Sequence, residues 1–259
     1  MSSPANLARL MTSLQPPVAR VILANPPVNV IDLPLMDELL AVIEQAENTP
    51  EIAAVIFAGS DRAFSAGVDV TAHTPDRVRE MLTKFHSVIR ALAATRKITI
   101  AVVRGSCLGG GAELAAICDL VFTADDATWG FPEISLGCFP PVAATILSAV
   151  VGQKRAAELI LTGRSITGEE AMRMGLANEA APPDELSDLV DETAERLGKL
   201  SSASLQVAKK ALYAWDAIHF DKGLKHAEEI YMNELMKLED AHEGIAAWME
   251  KRDPKWKGK

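Results

Sequence analysis

Hydrophobic residues in the first 180 positions recur with two alternating spacings. Short runs of apolar and β-branched residues predict buried strands, and segments with apolar residues at helical spacing separate them. The runs that predict strands are Val18–Leu23, Ala53–Ala58, Ile98–Val103 and Asp119–Ala124. Asp32 is placed to cap the first helical segment. This alternation of strand and helix predicts an α/β fold.

The pattern changes after Pro182, where no further strand is predicted. Four amphipathic segments predict helices at Asp184–Leu200, Ser202–Ala214, Phe220–Leu238 and Ala241–Lys251. We therefore expect an α/β region over residues 1–182 and a helical domain over residues 183–259.

A cluster of glycines, Gly109, Gly110 and Gly111, lies between a predicted strand and a helix-forming segment. Glycines at such a junction let the backbone approach a ligand closely and leave amide N–H groups free to face it. Glu113 follows on the first turn of the helix. Donors for a developing negative charge beside a potential acid or base indicate chemistry at a carbonyl.

Two further segments complete a recognisable set. They are Phe64–Asp69, which includes Gly67, and Trp129–Gly137, which includes Glu133. With the glycine cluster, in this order and spacing, they resemble the signature segments of the crotonase superfamily, the enoyl-CoA hydratase/isomerase family. The resemblance extends over nearly the whole chain. It implies a spiral of repeated strand–strand–helix units followed by a helical domain that mediates trimerisation.

The resemblance also implies a mechanism, carried over position by position. The backbone N–H groups of Val68 and Gly110 would form an oxyanion hole for the thioester oxygen. Glu113 and Glu133 match the two glutamates with which hydratases of the family hold and activate one water. Which glutamate acts as base is open from sequence; we expect Glu133 to be the acid toward carbon and Glu113 to hold the water. The implied enzyme is a hydro-lyase that adds water to a conjugated acyl-CoA.

The segment after Gly137 departs from the pattern of common hydratases. Phe139 and Pro140 begin a stiffer segment that should line the acyl pocket. It resembles the subgroup that hydrates cyclohexa-1,5-diene-1-carbonyl-CoA to 6-hydroxycyclohex-1-ene-1-carbonyl-CoA. Hydration of a straight-chain 2-enoyl-CoA and isomerisation of an enoyl-CoA are the alternatives, and a non-catalytic acyl-CoA-binding subunit is the rival of a different class.

Contacts with the CoA thioester are also implied by the resemblance. The expected substrate-binding residues are Val28, Ala66, Val68, Asp69, Val70, Gly109, Gly110, Phe139, Pro140 and, from a neighbouring subunit, Lys251. A homotrimer or a dimer of trimers is expected. No separate cofactor is expected, because coenzyme A is part of the substrate, and no metal is expected.

The composition of the chain limits the kinds of partner and location that we expect. A net charge of −9 and an isoelectric point near 5.1 argue against a nucleic-acid or anionic-membrane surface. No apolar run approaches the ~20 residues of a membrane-spanning helix. Three cysteines without metal-ligand spacing are typical of reduced thiols, which favours a cytoplasmic protein. The five histidines also lack ligand spacing, and we expect them to be solvated.

Overall fold

The computed structural model describes residues 7–214 and 216–259, without the side chains of residues 216–218. The strands are β1 (Leu10–Ser13), β2 (Val18–Leu23), β3 (Ala54–Ala58), β4 (Ala63–Ser65), β5 (Ile98–Val103), β6 (Ser106–Leu108), β7 (Leu120–Ala124), β8 (Thr128–Gly130), β9 (Ile166–Thr167) and β10 (Glu179–Ala181). The helices are α1 (Leu33–Glu47), α2 (Val78–Ala94), α3 (Gly110–Ala116), α4 (Pro141–Val151), α5 (Gln153–Thr162), α6 (Gly168–Met174), α7 (Leu186–Gly198), α8 (Ser202–Leu212), α9 (Asp216–Asn233) and α10 (Glu239–Met249). Short 3₁₀ helices span Val70–His73, Pro132–Leu136 and Leu235–Lys237.

The larger sheet has six strands in the order β1-β2-β3-β5-β7-β10. Only the β1–β2 pair is antiparallel; the other neighbours are parallel. Its central strands β3, β5 and β7 are buried along nearly their whole length, which is the usual condition of a parallel sheet covered on both faces. This explains why their sequences are continuous apolar runs rather than alternating ones.

The smaller sheet has four strands in the order β4-β6-β8-β9. Each of β4, β6 and β8 follows directly on a strand of the larger sheet. The chain therefore repeats a two-strand unit, and the α/β fold of repeated strand–strand–helix units predicted from sequence is confirmed. The sequence analysis did not predict β4 and β6 as strands, because segments of three residues are too short for a periodic signal.

Several local predictions are confirmed. The Asp32 side chain accepts a hydrogen bond from the Leu35 N–H and caps α1. The three cysteines are buried and unpaired.

The C-terminal helices pack on the α/β region. Helix α9 contacts α2 and α4, and α10 contacts the 3₁₀ helices at Val70–His73 and Pro132–Leu136. All described strands end by Ala181. No helix among the described residues is long and apolar enough to cross a membrane.

The expectation that all five histidines are solvated is wrong for His86. Its side chain is fully buried between α2 and α9, where Nδ1 lies 2.7 Å from Glu228 Oε1. A buried histidine on an apolar helix face leaves no signature in sequence, because its partner is 142 residues away.

Candidate active site

The three turns singled out from sequence meet at one cavity. Its lining includes Ala66, Gly67, Val68 and Val70 from the first turn, Gly109, Gly110 and Glu113 from the glycine cluster, and Glu133, Phe139 and Pro140 from the third segment. Parallel strands bring these turns together, since β4, β6 and β8 are neighbours in one sheet and each turn follows one of them. We call Val68, Gly109, Gly110, Glu113 and Glu133 the glycine floor.

Two backbone amides lie close together at the glycine floor. A Cβ built on Gly110 would lie 3.3 Å from the Val68 nitrogen and 2.6 Å from Val68 Cγ2. Gly110 is the first residue of α3, so its N–H has no partner within the helix. Val68 pairs with Ile31 in an isolated parallel β-bridge. The Ile31 N–H donates to the Gly67 carbonyl and the Asp69 N–H donates to the Ile31 carbonyl, so the N–H of Val68 is not used there. The pair forms a cradle for an anionic oxygen.

Glycine is required at two neighbouring positions for different reasons. Gly109 has φ +51°, and a Cβ there would lie 2.6 Å from Glu133 Oε1. Gly111 has no unusual φ, but a Cβ there would lie 2.7 Å from the Ser65 Cβ. The first glycine therefore makes room for a carboxylate, and the second lets α3 pack directly on β4.

Glu113 lies in the first turn of α3, and its buried carboxylate reaches the start of α4. Its Oε1 accepts a 2.9 Å hydrogen bond from the Ala143 N–H in the first turn of α4. This contact favours the carboxylate, but burial outweighs it and raises the pKa of Glu113 to about 7.

Glu133 follows Pro132 in the 3₁₀ helix and points its carboxylate at Gly109. Burial, and then the charge of Glu113, raise the pKa of Glu133 to about 8. Its Oε2 is buried without a hydrogen-bond partner. Because the two carboxyl groups repel each other as anions, near neutral pH the pair can hold one proton between them and offers both an acid and a base.

The rest of the cavity lining includes aliphatic side chains, His73 of the first 3₁₀ helix, and four rings from three other parts of the chain. Phe85 and His86 come from α2, Phe139 precedes α4, and Tyr231 comes from α9. The Tyr231 and Phe139 rings lie 5.2 Å apart at 59°. We call these four residues the aromatic wall. The sequence analysis placed only Phe139 at the pocket, because the others carry no motif and reach the site only through tertiary packing.

A second cavity of about 330 Å³ adjoins the first and shares Val68 and Met81 with it. Asp69 lies in its lining, where the carboxylate caps the following 3₁₀ helix by accepting from the Thr71 N–H at 2.9 Å. Arg77 also lines this cavity.

Val28 and Lys251 line neither of these two cavities. The Val28 carbonyl instead accepts the Ala66 N–H at 2.9 Å and braces the turn before Val68. Lys251 is exposed just after α10, with φ +54°. The structure of one chain therefore brings together eight of the ten expected substrate-binding positions and leaves these two outside.

Comparison with known proteins identifies the family. The enoyl-CoA hydratase/isomerase model matches residues 14–259. A cyclohexa-1,5-dienecarbonyl-CoA hydratase of Thauera aromatica is 35% identical over 242 residues, which cover 93% of each chain. A 2,3-dehydroadipyl-CoA hydratase of Escherichia coli is 32% identical over 252 residues, 96% of this chain and 95% of that one.

Solved structures agree with the sequence relatives. An enoyl-CoA hydratase from Mycobacterium avium subsp. paratuberculosis superposes with a TM-score of 0.87 at 26% identity, covering 97% of this chain and 99% of the other. One from Bacillus anthracis gives a TM-score of 0.76 at 27% identity, covering 97% and 100%. The family match, the relatives and the converged turns lead to one conclusion: the chain belongs to the enoyl-CoA hydratase/isomerase family.

Proposed function

We propose that this protein adds water to a conjugated acyl-CoA at the glycine floor, with the amides of Val68 and Gly110 as oxyanion hole and Glu113 and Glu133 as the water-activating pair. The coarse activity, hydro-lyase action of the enoyl-CoA hydratase type, follows from the family and its hydratase relatives. The observation that carries the residue assignment is the pair of buried carboxyl groups beside two unused backbone amides.

The chemistry follows from the charges. The thioester oxygen accepts hydrogen bonds from the Val68 and Gly110 amides, at the positive end of α3, which stabilises the enolate formed as the nucleophile adds. One carboxylate takes a proton from the attacking water, and the other carboxylic acid supplies a proton to the enolate carbon. Glu113 is the base in this assignment because the Ala143 N–H favours its ionised form. Glu133, which lacks such a donor, is the acid.

The substrate proposed is cyclohexa-1,5-diene-1-carbonyl-CoA. Two observations support a ring over a straight chain. The relative from Thauera aromatica is named for this substrate, and the Phe139–Pro140 segment, which resembles that subgroup, lies in the cavity lining with Tyr231 packed against Phe139.

The second cavity offers a path for the rest of the thioester. It continues from the oxyanion residue Val68 to Asp69 and Arg77, so the pantetheine arm would pass Val68 and the Arg77 guanidinium would face phosphate. Lys251 would reach the nucleotide of a neighbouring subunit.

A homotrimer or a dimer of trimers is proposed for the assembly. The C-terminal region exposes large apolar side chains that a partner would cover; these are Leu200, Val207, Leu212, Trp248 and Met249. Three copies of the 27.8 kDa chain, or six, should be found by light scattering, and a monomer at micromolar concentration would contradict the proposal. The three unpaired cysteines support a cytoplasmic location.

The deciding experiment incubates the protein separately with crotonyl-CoA and with the cyclic dienoyl-CoA. With crotonyl-CoA, loss of the conjugated chromophore with gain of the mass of water supports hydration. The cyclic product keeps one double bond conjugated to the thioester, so for that substrate a shift of the chromophore with the same gain of mass supports hydration. A higher kcat/KM for the cyclic substrate supports the ring. A shifted chromophore at constant mass would instead indicate isomerisation. Binding of both compounds without any change would overturn the enzymatic proposal in favour of an acyl-CoA-binding subunit.

A further inference from the structure

Among the described side chains, three buried polar atoms have no hydrogen-bond partner: Nε2 of His86, Oε2 of Glu133 and the hydroxyl of Tyr231. All three residues line the first cavity. The Glu133 atom has a use in the proposed function, since it faces the reacting water. Hydration of a hydrocarbon acyl group leaves the other two without a role, although buried polar atoms in folded proteins are nearly always paired.

His86 is held in a fixed orientation. Its Nδ1 lies 2.7 Å from Glu228 Oε1, and Arg90 Nη2 lies 3.0 Å from the same oxygen. Hydrogen bonds from His86 and Arg90 lower the pKa of Glu228, so this carboxylate is ionised and accepts the proton of Nδ1. In the neutral imidazole the lone pair is then at Nε2, on the side of the ring away from Glu228.

Tyr231 approaches the same cavity from the same helix that orients His86. Glu228 and Tyr231 are three residues apart on α9 and so share a face. The tyrosine is 1% exposed, and its ring packs on Phe139. The Cys138 thiol is near enough to affect the pKa of the phenol, but a thiol is a weak partner and the hydroxyl makes no hydrogen bond of normal geometry. The phenol therefore has a proton to donate.

The two orphan groups are complementary to one functional group. Both residues line one cavity, so an alcohol bound there would have a lone pair to donate to at His86 Nε2 and a proton to accept from the Tyr231 hydroxyl. A ketone has no proton for Nε2. A carboxylate also lacks that proton and would add a negative charge to a cavity that already holds Glu113 and Glu133.

We propose that the acyl group bound by this protein carries a hydroxyl remote from the thioester, which donates to Nε2 of His86 and accepts from the phenol of Tyr231. The proposal rests on the acyl-CoA function proposed above and narrows its substrate to hydroxylated members of the class, in ring form a hydroxylated cyclohexadiene-carbonyl thioester. His86 and Tyr231 act here as specificity residues; Glu228 positions His86.

The test measures kcat/KM for matched substrate pairs. One pair is cyclohexa-1,5-diene-1-carbonyl-CoA and its ring-hydroxylated counterparts, and the other is hex-2-enoyl-CoA and its 4-, 5- and 6-hydroxy derivatives. The wild-type protein should prefer at least one hydroxylated member by about tenfold or more, the scale of one or two buried hydrogen bonds. Tyr231→Phe removes only the hydroxyl and should abolish most of this preference. His86→Gln should reduce it as well.

A matched control is the chain's other tyrosine. Tyr213 follows α8 and lines neither cavity, so Tyr213→Phe should keep both the activity and the preference. Equal wild-type kcat/KM for hydroxylated and unsubstituted substrates would overturn the proposal, with water as the occupant at His86, and would leave the hydratase function standing. A preference that survives in Tyr231→Phe would overturn it too.

Binding measurements test the hydroxyl site separately from the proposed hydratase activity. Saturated hexanoyl-CoA and 6-hydroxyhexanoyl-CoA cannot be hydrated, and calorimetry gives their Kd values whether or not the protein is an enzyme. Tighter binding of a hydroxylated acyl-CoA without turnover of any conjugated substrate would support the hydroxyl site while overturning the hydratase proposal.

Discussion

The glycine floor and the aromatic wall line the same cavity but are built in opposite ways. The glycine floor consists of backbone amides and two carboxylates on three turns that follow neighbouring strands of one sheet. The aromatic wall is made of side chains from α2, α9 and the segment before α4, which lie far apart in sequence. The residues proposed for the chemistry are therefore positioned by local backbone geometry. The residues proposed for substrate choice are positioned by packing between segments that are distant in sequence.

The largest effect is expected where the glycine floor is most crowded. Gly109→Ala places a Cβ 2.6 Å from Glu133 Oε1 at a residue with φ +51°, so the carboxylate must move. We expect kcat/KM for hydration to fall on the order of a thousandfold, because misplacing a catalytic group and its cradle costs that much.

The control for backbone strain is Gly152→Ala, where φ is +81° but nothing lies within 4 Å of the new Cβ. It should retain activity within about threefold, since strain alone does not displace the site. Equal loss in both variants would mean that stability, not crowding at Glu133, is being measured.

The second-largest effect is expected at the carboxyl pair, Glu113 and Glu133. Glu113→Gln and Glu133→Gln should each lower kcat by at least ~10²-fold, the scale of general acid–base catalysis. The effects should not add in the double variant, because the two groups act as one unit. Glu192→Gln alters an exposed carboxylate on α7 that lines neither cavity and should leave kcat nearly unchanged. Unchanged hydration in both pair variants would refute the assignment.

The same pair predicts a pH dependence of stability. Both pKa values lie above the usual 4.5, so the stability these groups contribute is complete below about pH 4.5 and is lost as the pH rises through about 7 and 8. Glu133→Gln removes one of the buried charges. Relative to wild type, its free energy of unfolding from denaturant titration should therefore rise between pH 6 and pH 9, by a few kcal/mol at most.

Glu195→Gln is the control for that measurement. Glu195 is exposed, and its hydrogen bond to Lys199 lowers its pKa. The difference in stability between this variant and wild type should not grow between pH 6 and pH 9. A constant difference for Glu133→Gln over the same range would contradict the raised pKa of the pair.

The smallest effect is expected at the aromatic wall. Phe139→Leu removes the ring that packs on Tyr231 while keeping an apolar side chain. The ratio of kcat/KM values for cyclic and straight-chain substrates should fall by about tenfold, the usual worth of a modest change in an apolar pocket. If this variant instead lowered kcat for both substrates equally, the aromatic wall would belong to the catalytic machinery and the comparison would fail.

The fold and the glycine floor could be predicted because their signals are local. Apolar runs bounded by turn residues identified the central strands of the larger sheet. The glycine cluster and Glu113 lie within one short segment, Gly109–Glu113, and can be recognised from it alone. Short strands such as β4 and β6 were missed, since three residues do not make a period.

By itself, the sequence determined the α/β alternation, the helical C-terminal region and the two turns that carry Val68 and Gly110. Only the tertiary structure decided that the amides of these turns lie side by side, that Glu133 rests against Gly109, and that His86 and Tyr231 reach the cavity. The physical reason is distance along the chain. The His86–Glu228 contact spans 142 residues, and a partner chosen by packing at that range leaves no pattern in either segment.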